Sequence, residues 1–132
     1  MASIIKVETL QDTDGNNAVD MQYVANGSAK AHINFNGTGT PATRDSLNFS
    51  TITDSGTGIY EIAYTSNMAN VNYTVTCGQE YDGGVHGTIT AFNYDDATAL
   101  STSELALKTS RTDNTALVDS KYVMATIHGD LA

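Results

Sequence analysis

The sequence lacks several residue types whose absence narrows the possible functions. Its 132 residues contain one cysteine, one proline and no tryptophan. A single cysteine, Cys77, can form neither an intrachain disulfide nor the paired-cysteine motifs of redox and zinc sites. Since Cys77 alternates with Val71, Tyr73 and Val75, we expect it to be a buried structural thiol. The single proline and the absence of a fixed repeat argue against a fibrous shaft or solenoid for most of the chain.

Basic residues and long apolar runs are also scarce. Six Lys and Arg residues stand against fifteen Asp and Glu residues, which gives a net charge of -9. Such a surface repels phosphates, so nucleic-acid binding is disfavoured, and the scattered acids indicate solubility rather than one site. No segment approaches the roughly 18 apolar residues of a membrane helix, and the N-terminal apolar run is too short for a signal peptide. We therefore expect folding in the cytoplasm, without membrane insertion.

No catalytic motif can be recognised. A hydrolase needs a nucleophile beside a base and an orienting acid. The three histidines, His32, His86 and His128, each lie on the polar side of a predicted strand, where surface or interface histidines are expected. Metal-binding HxH and HExxH patterns are absent. Gly56-Thr-Gly58 precedes a strand, whereas a phosphate-binding loop precedes a helix. The sequence predicts no catalytic residues, no metal and no cofactor.

Alternation of apolar and polar residues is the strongest pattern present. Ala31, Ile33 and Phe35 fall on one side of a predicted strand and polar residues on the other. Similar segments begin near Ile5, Leu47, Tyr60, Val71, Val85, Leu105 and Tyr122. Their number and spacing predict an all-β fold, an antiparallel, jelly-roll-like β-sandwich of about eight strands. A helix over 96–106 is the alternative for one segment.

The chain length favours one compact domain with an N-terminal extension. We expect residues 1–28 to form a strand and an extended connector, and residues 29–132 to form the sandwich. Between the strand and the connector, Asp12, Asp14 and Asn16 have the spacing of calcium ligands, but no Glu follows at the distance that an EF-hand requires. The other interpretation is a turn whose Asp and Asn side chains bond their own backbone.

One stretch resembles a known class of proteins. The run KAHINFNGTGT, then RDSLNFSTITDSGTG and a Tyr-x-Ile-x-Tyr strand ending near Met68, resemble a module of bacteriophage tail-fibre-like virion proteins. The first and last segments resemble such proteins more weakly, and the resemblance implies that residues 1–28 dock on the virion or pack along neighbouring subunits. His32 stands where that module usually has an aromatic residue, and Pro41 stands where an apolar one is common. The resemblance implies a virion structural protein assembled in the host cytoplasm: a short tail fibre, knob or head-surface protein.

Some apolar residues do not fit the inward register of a single sandwich. Met21, Tyr23, Phe92 and Tyr94 are the clearest examples. Such residues need another place to be buried, which a neighbouring subunit supplies. The alternative is that they cover the ends of the sandwich within one chain. Because fibre-like relatives are typically trimeric, we expect a homotrimer that also contacts other virion proteins.

Two clusters of tyrosine and acidic residues flank one predicted strand. Glu80, Tyr81 and Asp82 precede it, and Tyr94 and Asp95 follow it. Aromatic faces beside acidic groups at loop tips are typical of sugar binding, which predicts contact with a host-surface glycan. A carbohydrate-binding adhesin module is therefore the alternative function. The structural alternative is that these are solvated turn tyrosines.

Overall fold

The computed structural model describes residues 3–80, 87–91, 100–111 and 116–132. It contains ten strands and one helix within those residues. The strands are β1 (Thr9–Leu10), β2 (Val19–Asp20), β3 (Ala31–Asn36), β4 (Ala42–Leu47), β5 (Phe49–Gly56), β6 (Ile59–Tyr64), β7 (Thr74–Glu80), β8 (Gly87–Ala91), β9 (Glu104–Arg111) and β10 (Tyr122–His128), and the helix is α1 (Met21–Gly27).

Eight of these strands form two four-stranded antiparallel sheets. One sheet has the order β4-β3-β10-β7, and the other has the order β5-β6-β9-β8. Apolar side chains from both sheets form one buried cluster. The predicted antiparallel β-sandwich is therefore confirmed.

The core follows the alternation seen in the sequence. Along β3, Ala31, Ile33 and Phe35 are buried while the residues between them are half-buried. Tyr60 of β6 packs edge-to-face against Phe35, with the ring centroids 5.0 Å apart. The other buried apolar members of this cluster are Phe49, Ile62, Tyr64, Met68, Tyr73, Leu105, Leu107, Val123, Ala125 and Ile127. Each large side chain buried in this way stabilises the fold by about 1.5–3 kcal/mol.

A polar network joins two glycine-containing turns to the core. The Tyr60 hydroxyl lies 3.0 Å from the carbonyl oxygen of Gly37 and 3.2 Å from Asp119 Oδ1, and it can donate to either. The same carboxylate oxygen accepts a hydrogen bond from the Gly58 backbone N–H at 2.7 Å. Gly37 and Gly58 belong to the two Gly-Thr-Gly-containing runs of the sequence. These runs are therefore structural turns, held to the sandwich by hydrogen bonds to Tyr60 and Asp119.

Strand β4 was not predicted, since the second strand was expected to begin only at Leu47. All six side chains of β4 are exposed, so the strand has no inward apolar face. Its backbone instead pairs with β3, where His32 lies opposite Leu47, and the register shifts between Asn34 and Phe35. Pairing at the sheet edge stabilises this strand, and side-chain pattern carries no signal of it.

The N-terminal segment also differs from expectation. The predicted first strand is reduced to β1, and α1 occupies most of the segment expected to be an extended connector. The helix ends where the Ser28 N–H donates to the Val24 carbonyl at 3.1 Å. A helix of seven residues makes only two turns, too few for a helical period to show in the sequence.

Candidate functional site

The described residues do not assemble a recognisable catalytic group. His32 Nε2 lies 3.5 Å from Asp45 Oδ2, but both side chains are on the solvent-facing side of the sheet. His128 is half-buried at the end of β10, and His86 lies outside the described residues. No group of three His, Cys, Asp or Glu side chains within the described ranges could hold a metal ion. Among the same residues, no helix is long and apolar enough to cross a membrane.

Cys77 packs at the margin of the core. It is half-buried on β7 and contacts the apolar cluster. Burial raises the pKa of its thiol to about 11, because the thiolate would lose hydration there. The protonated thiol is a poor nucleophile, so this environment suits a structural cysteine.

The structure describes one residue of the predicted receptor-binding loops. Glu80 is exposed at the end of β7, directly opposite Tyr122 of β10. Tyr81, Asp82, Tyr94 and Asp95, together with the predicted interface residue Phe92, lie outside the described residues. The sugar-binding clusters therefore stay a prediction.

The other predicted interface residues lie on α1. Met21 is half-buried, and Tyr23 is 65% exposed. They belong to a segment, residues 3–27, that we call the N-terminal arm. None of its residues is buried, and Ile5 is 86% exposed. The other exposed large apolar side chains of the arm are Ile4, Val7, Leu10 and Val19. The arm thus exposes several large apolar side chains to solvent.

The arm has its own local hydrogen bonds. Strands β1 and β2 pair, and the turn between them is held by Asp12, whose carboxylate accepts from the Asn16 N–H at 2.7 Å and from Asn17 Nδ2 at 2.9 Å. This bonding confirms the interpretation of the loop as an Asx-type turn. A two-stranded hairpin alone is only marginally stable in water.

A second feature was missed in the sequence. A shallow depression of about 470 Å³ lies at the edge of the β4-β3-β10-β7 sheet, next to the ring of Tyr122. The residues that line it are Asn36, Thr38, Ala42, Thr43, Arg44 and Lys121. The Arg44 guanidinium carbon lies 4.1 Å from the centroid of the Tyr122 ring. We call this feature the Arg44–Lys121 depression. The sequence carries no direct signal of it, beyond the fact that only six Lys and Arg residues are present and two of them line the depression.

The chain matches no protein-family model, no curated protein and no solved structure at a significant level. The geometry therefore offers two surfaces as starting points for function, the N-terminal arm and the Arg44–Lys121 depression.

Proposed function

We propose that this protein is a non-enzymatic structural component of a bacteriophage virion, a short tail-fibre, knob or head-surface protein exposed on the particle. The observation that carries the proposal is the N-terminal arm, which leaves Ile5 86% exposed beside a well-packed sandwich. The resemblance of residues 29–68 to tail-fibre-like virion proteins supports the particle as its location. Assembly with other subunits would bury the exposed apolar side chains of the arm.

The exposed apolar side chains of the arm argue for a partner. Scattered single apolar residues are normal on a protein surface, but here they lie in one segment in which no residue is buried. Burying each of them against another chain would contribute roughly 1.5–3 kcal/mol. The proposed partners are two further copies of the chain and other virion proteins.

A charge placed on the arm should weaken self-association. Tyr23 is 65% exposed, so Tyr23→Glu should leave the isolated fold intact while placing a carboxylate in the proposed interface. We expect light scattering to give about 42 kDa for the native protein, three times the chain mass of 14.0 kDa, and a smaller mass for the variant at micromolar concentration.

Leu47→Glu is the matched control for this substitution. Leu47 is also a large apolar residue, 49% exposed, but it lies on β4 of the sandwich and not on the arm. Its replacement should leave the mass unchanged. A native mass near 14 kDa would contradict self-association, and an equal loss in both variants would contradict the role of the arm.

Labelled antibody and electron microscopy of the parent particle would test the location. Label on the tail or head surface is the expected result, and particles without label would contradict the proposal. The non-enzymatic part is tested by incubation with capsular polysaccharide and peptidoglycan. Turnover that Asp82→Asn abolishes would disprove it.

A carbohydrate-binding adhesin is the second candidate function. The Arg44–Lys121 depression favours it, since polar and cationic side chains line it and one of them, Arg44, lies over the Tyr122 ring. The two functions are compatible, because a protein on the particle surface can also contact the host.

A further inference from the structure

We propose that the Arg44–Lys121 depression binds an acidic saccharide, a sugar unit that carries a carboxylate or phosphate group. The inference deepens the proposed function by giving the surface-exposed protein a class of host ligand. The binding itself is a property of the isolated chain and can be measured without the particle.

Charge is the first argument. The chain has only six Lys and Arg residues against fifteen acids, yet two of the six, Arg44 and Lys121, line the same depression. In a protein with a net charge of -9, an anionic group finds few places where two cations stand together. Arg also presents a planar fork that matches the two oxygens of a carboxylate or phosphate.

The position of Arg44 is set by the fold. It falls where the β3–β4 register shifts, because Asn34 pairs with Asp45 while Phe35 pairs with Thr43. An irregularity of this kind re-aims the side chain of the extra residue. Here the Arg44 guanidinium lies over the Tyr122 ring at 4.1 Å from its centroid, a cation–π contact that restricts the orientation of the guanidinium. Less conformational freedom is then lost when an anion binds.

Neutral polar groups complete the lining. The Asn36 amide donates to the Thr38 carbonyl at 3.0 Å, and the Thr38 hydroxyl donates to Asn36 Oδ1 at 2.9 Å. These bonds hold an amide and a hydroxyl in place beside Thr43. Amides and hydroxyls of this kind exchange hydrogen bonds with sugar hydroxyls. The volume of about 470 Å³ lies within the usual range of small-ligand sites.

Nearby acids limit the ligand to a small one. Glu80 lies across from Tyr122 on β7, and Asp45 follows Arg44 on β4. A polyanion such as a nucleic acid needs an extended track of cations, and carboxylates on the same sheet would repel it. A single acidic sugar places one anionic group near the cations and its hydroxyls on the neutral rim.

The test is titration calorimetry of the whole chain at low ionic strength with three probes. The probes are a glucuronic-acid-terminated disaccharide, its neutral glucose counterpart and inorganic phosphate. We expect the acidic disaccharide to bind about tenfold more tightly than the neutral one, and Arg44→Gln and Lys121→Gln each to weaken it about fivefold or more. Arg44→Lys keeps the charge but loses the planar fork, so its affinity for the acidic disaccharide should fall between that of the native protein and that of Arg44→Gln.

Lys6→Gln is the matched control, since it changes the net charge by the same amount on the N-terminal arm. It should alter the affinity by less than about twofold. The proposal is overturned if the neutral disaccharide binds equally well, if Lys6→Gln weakens binding as much as Arg44→Gln, or if the acidic disaccharide shows no binding at about 10 mM. Binding of phosphate without the disaccharide would reduce the site to an anion site and reject the saccharide. Circular dichroism confirms that each variant is folded, and none of these outcomes depends on where the protein sits on the particle.

Discussion

Replacing Gly58 with alanine is expected to lower the free energy of unfolding by about 3 kcal/mol or more, a large part of the roughly 5–15 kcal/mol typical of a domain. Gly58 has a φ of +66°, which L-residues rarely adopt. An added Cβ would also lie 2.5 Å from the carbonyl oxygen of Thr109 and 2.8 Å from that of Val118. Both contacts are with backbone, which cannot move aside without disturbing the hydrogen bonds from the Thr109 N–H to the Gly58 carbonyl at 2.8 Å and from the Val118 N–H to the Thr109 carbonyl at 3.0 Å. Urea denaturation measures the loss.

Gly39→Ala separates the cost of the backbone conformation from the cost of the close contacts. Gly39 has nearly the same φ, +65°, but nothing lies within 4 Å of its Cβ position. This control should cost only the backbone term, about 1–2 kcal/mol. If both substitutions lower the free energy of unfolding by the same amount, the close contacts around Gly58 do not contribute to its need for glycine.

Stability should fall steeply above pH 10 because three tyrosines are buried. Burial raises the pKa values of Tyr60, Tyr64 and Tyr73 above the ordinary value near 10, and Asp119 adds to the shift at Tyr60. The unfolded chain then loses phenol protons at a lower pH than the folded chain. The stabilisation is complete well below pH 10 and is lost as the pH rises past it, and each tyrosine whose folded pKa stays above the pH contributes up to about 1.4 kcal/mol per pH unit. Tyr60 and Tyr64, which have the largest shifts, together predict a loss of about 3 kcal/mol between pH 9 and 11, and Tyr73 adds to it.

Tyr64→Phe tests this origin of the alkaline loss. The Tyr64 hydroxyl is buried and has no hydrogen-bond partner in the part of the chain that the structure describes, so phenylalanine should fit in its place. Urea denaturation at pH 9, 10 and 11 should show a smaller alkaline loss for this variant, by about 1.4 kcal/mol at pH 11. Tyr23→Phe is the control, since that side chain is 65% exposed, and it should behave as the native protein does. Parallel curves for the native protein and Tyr64→Phe would contradict the assignment.

Strands with one buried face could be predicted from the sequence. The last strand was expected over 122–128, and β10 has those bounds, since Val123, Ala125 and Ile127 are buried between less buried neighbours. The same pattern identified β3 and β6. In each case one face of the strand is buried, so apolar residues alternate with polar ones in the sequence and the strand can be recognised from that pattern.

Features that depend on contacts distant in sequence could not be predicted. Strand β4 has no buried residue, so its existence follows from pairing with β3. The contact between Arg44 and Tyr122 needs β4, β3 and β10 to lie side by side. No local pattern reports that arrangement, and the Arg44–Lys121 depression was missed for the same reason.

The place of β10 in its sheet has a consequence for synthesis on the ribosome. It lies between β3 and β7 and pairs with both, although it is the last of the eight sandwich strands to be translated. Until β10 emerges, β3 and β7 each lack a neighbour, and the β4-β3-β10-β7 sheet cannot form. Folding of the nascent sandwich must therefore wait for its final strand, and contacts between strands so far apart in sequence form slowly. During that interval the unpaired edges are open to strands of other nascent chains, so premature termination before β10 would leave a product prone to aggregate.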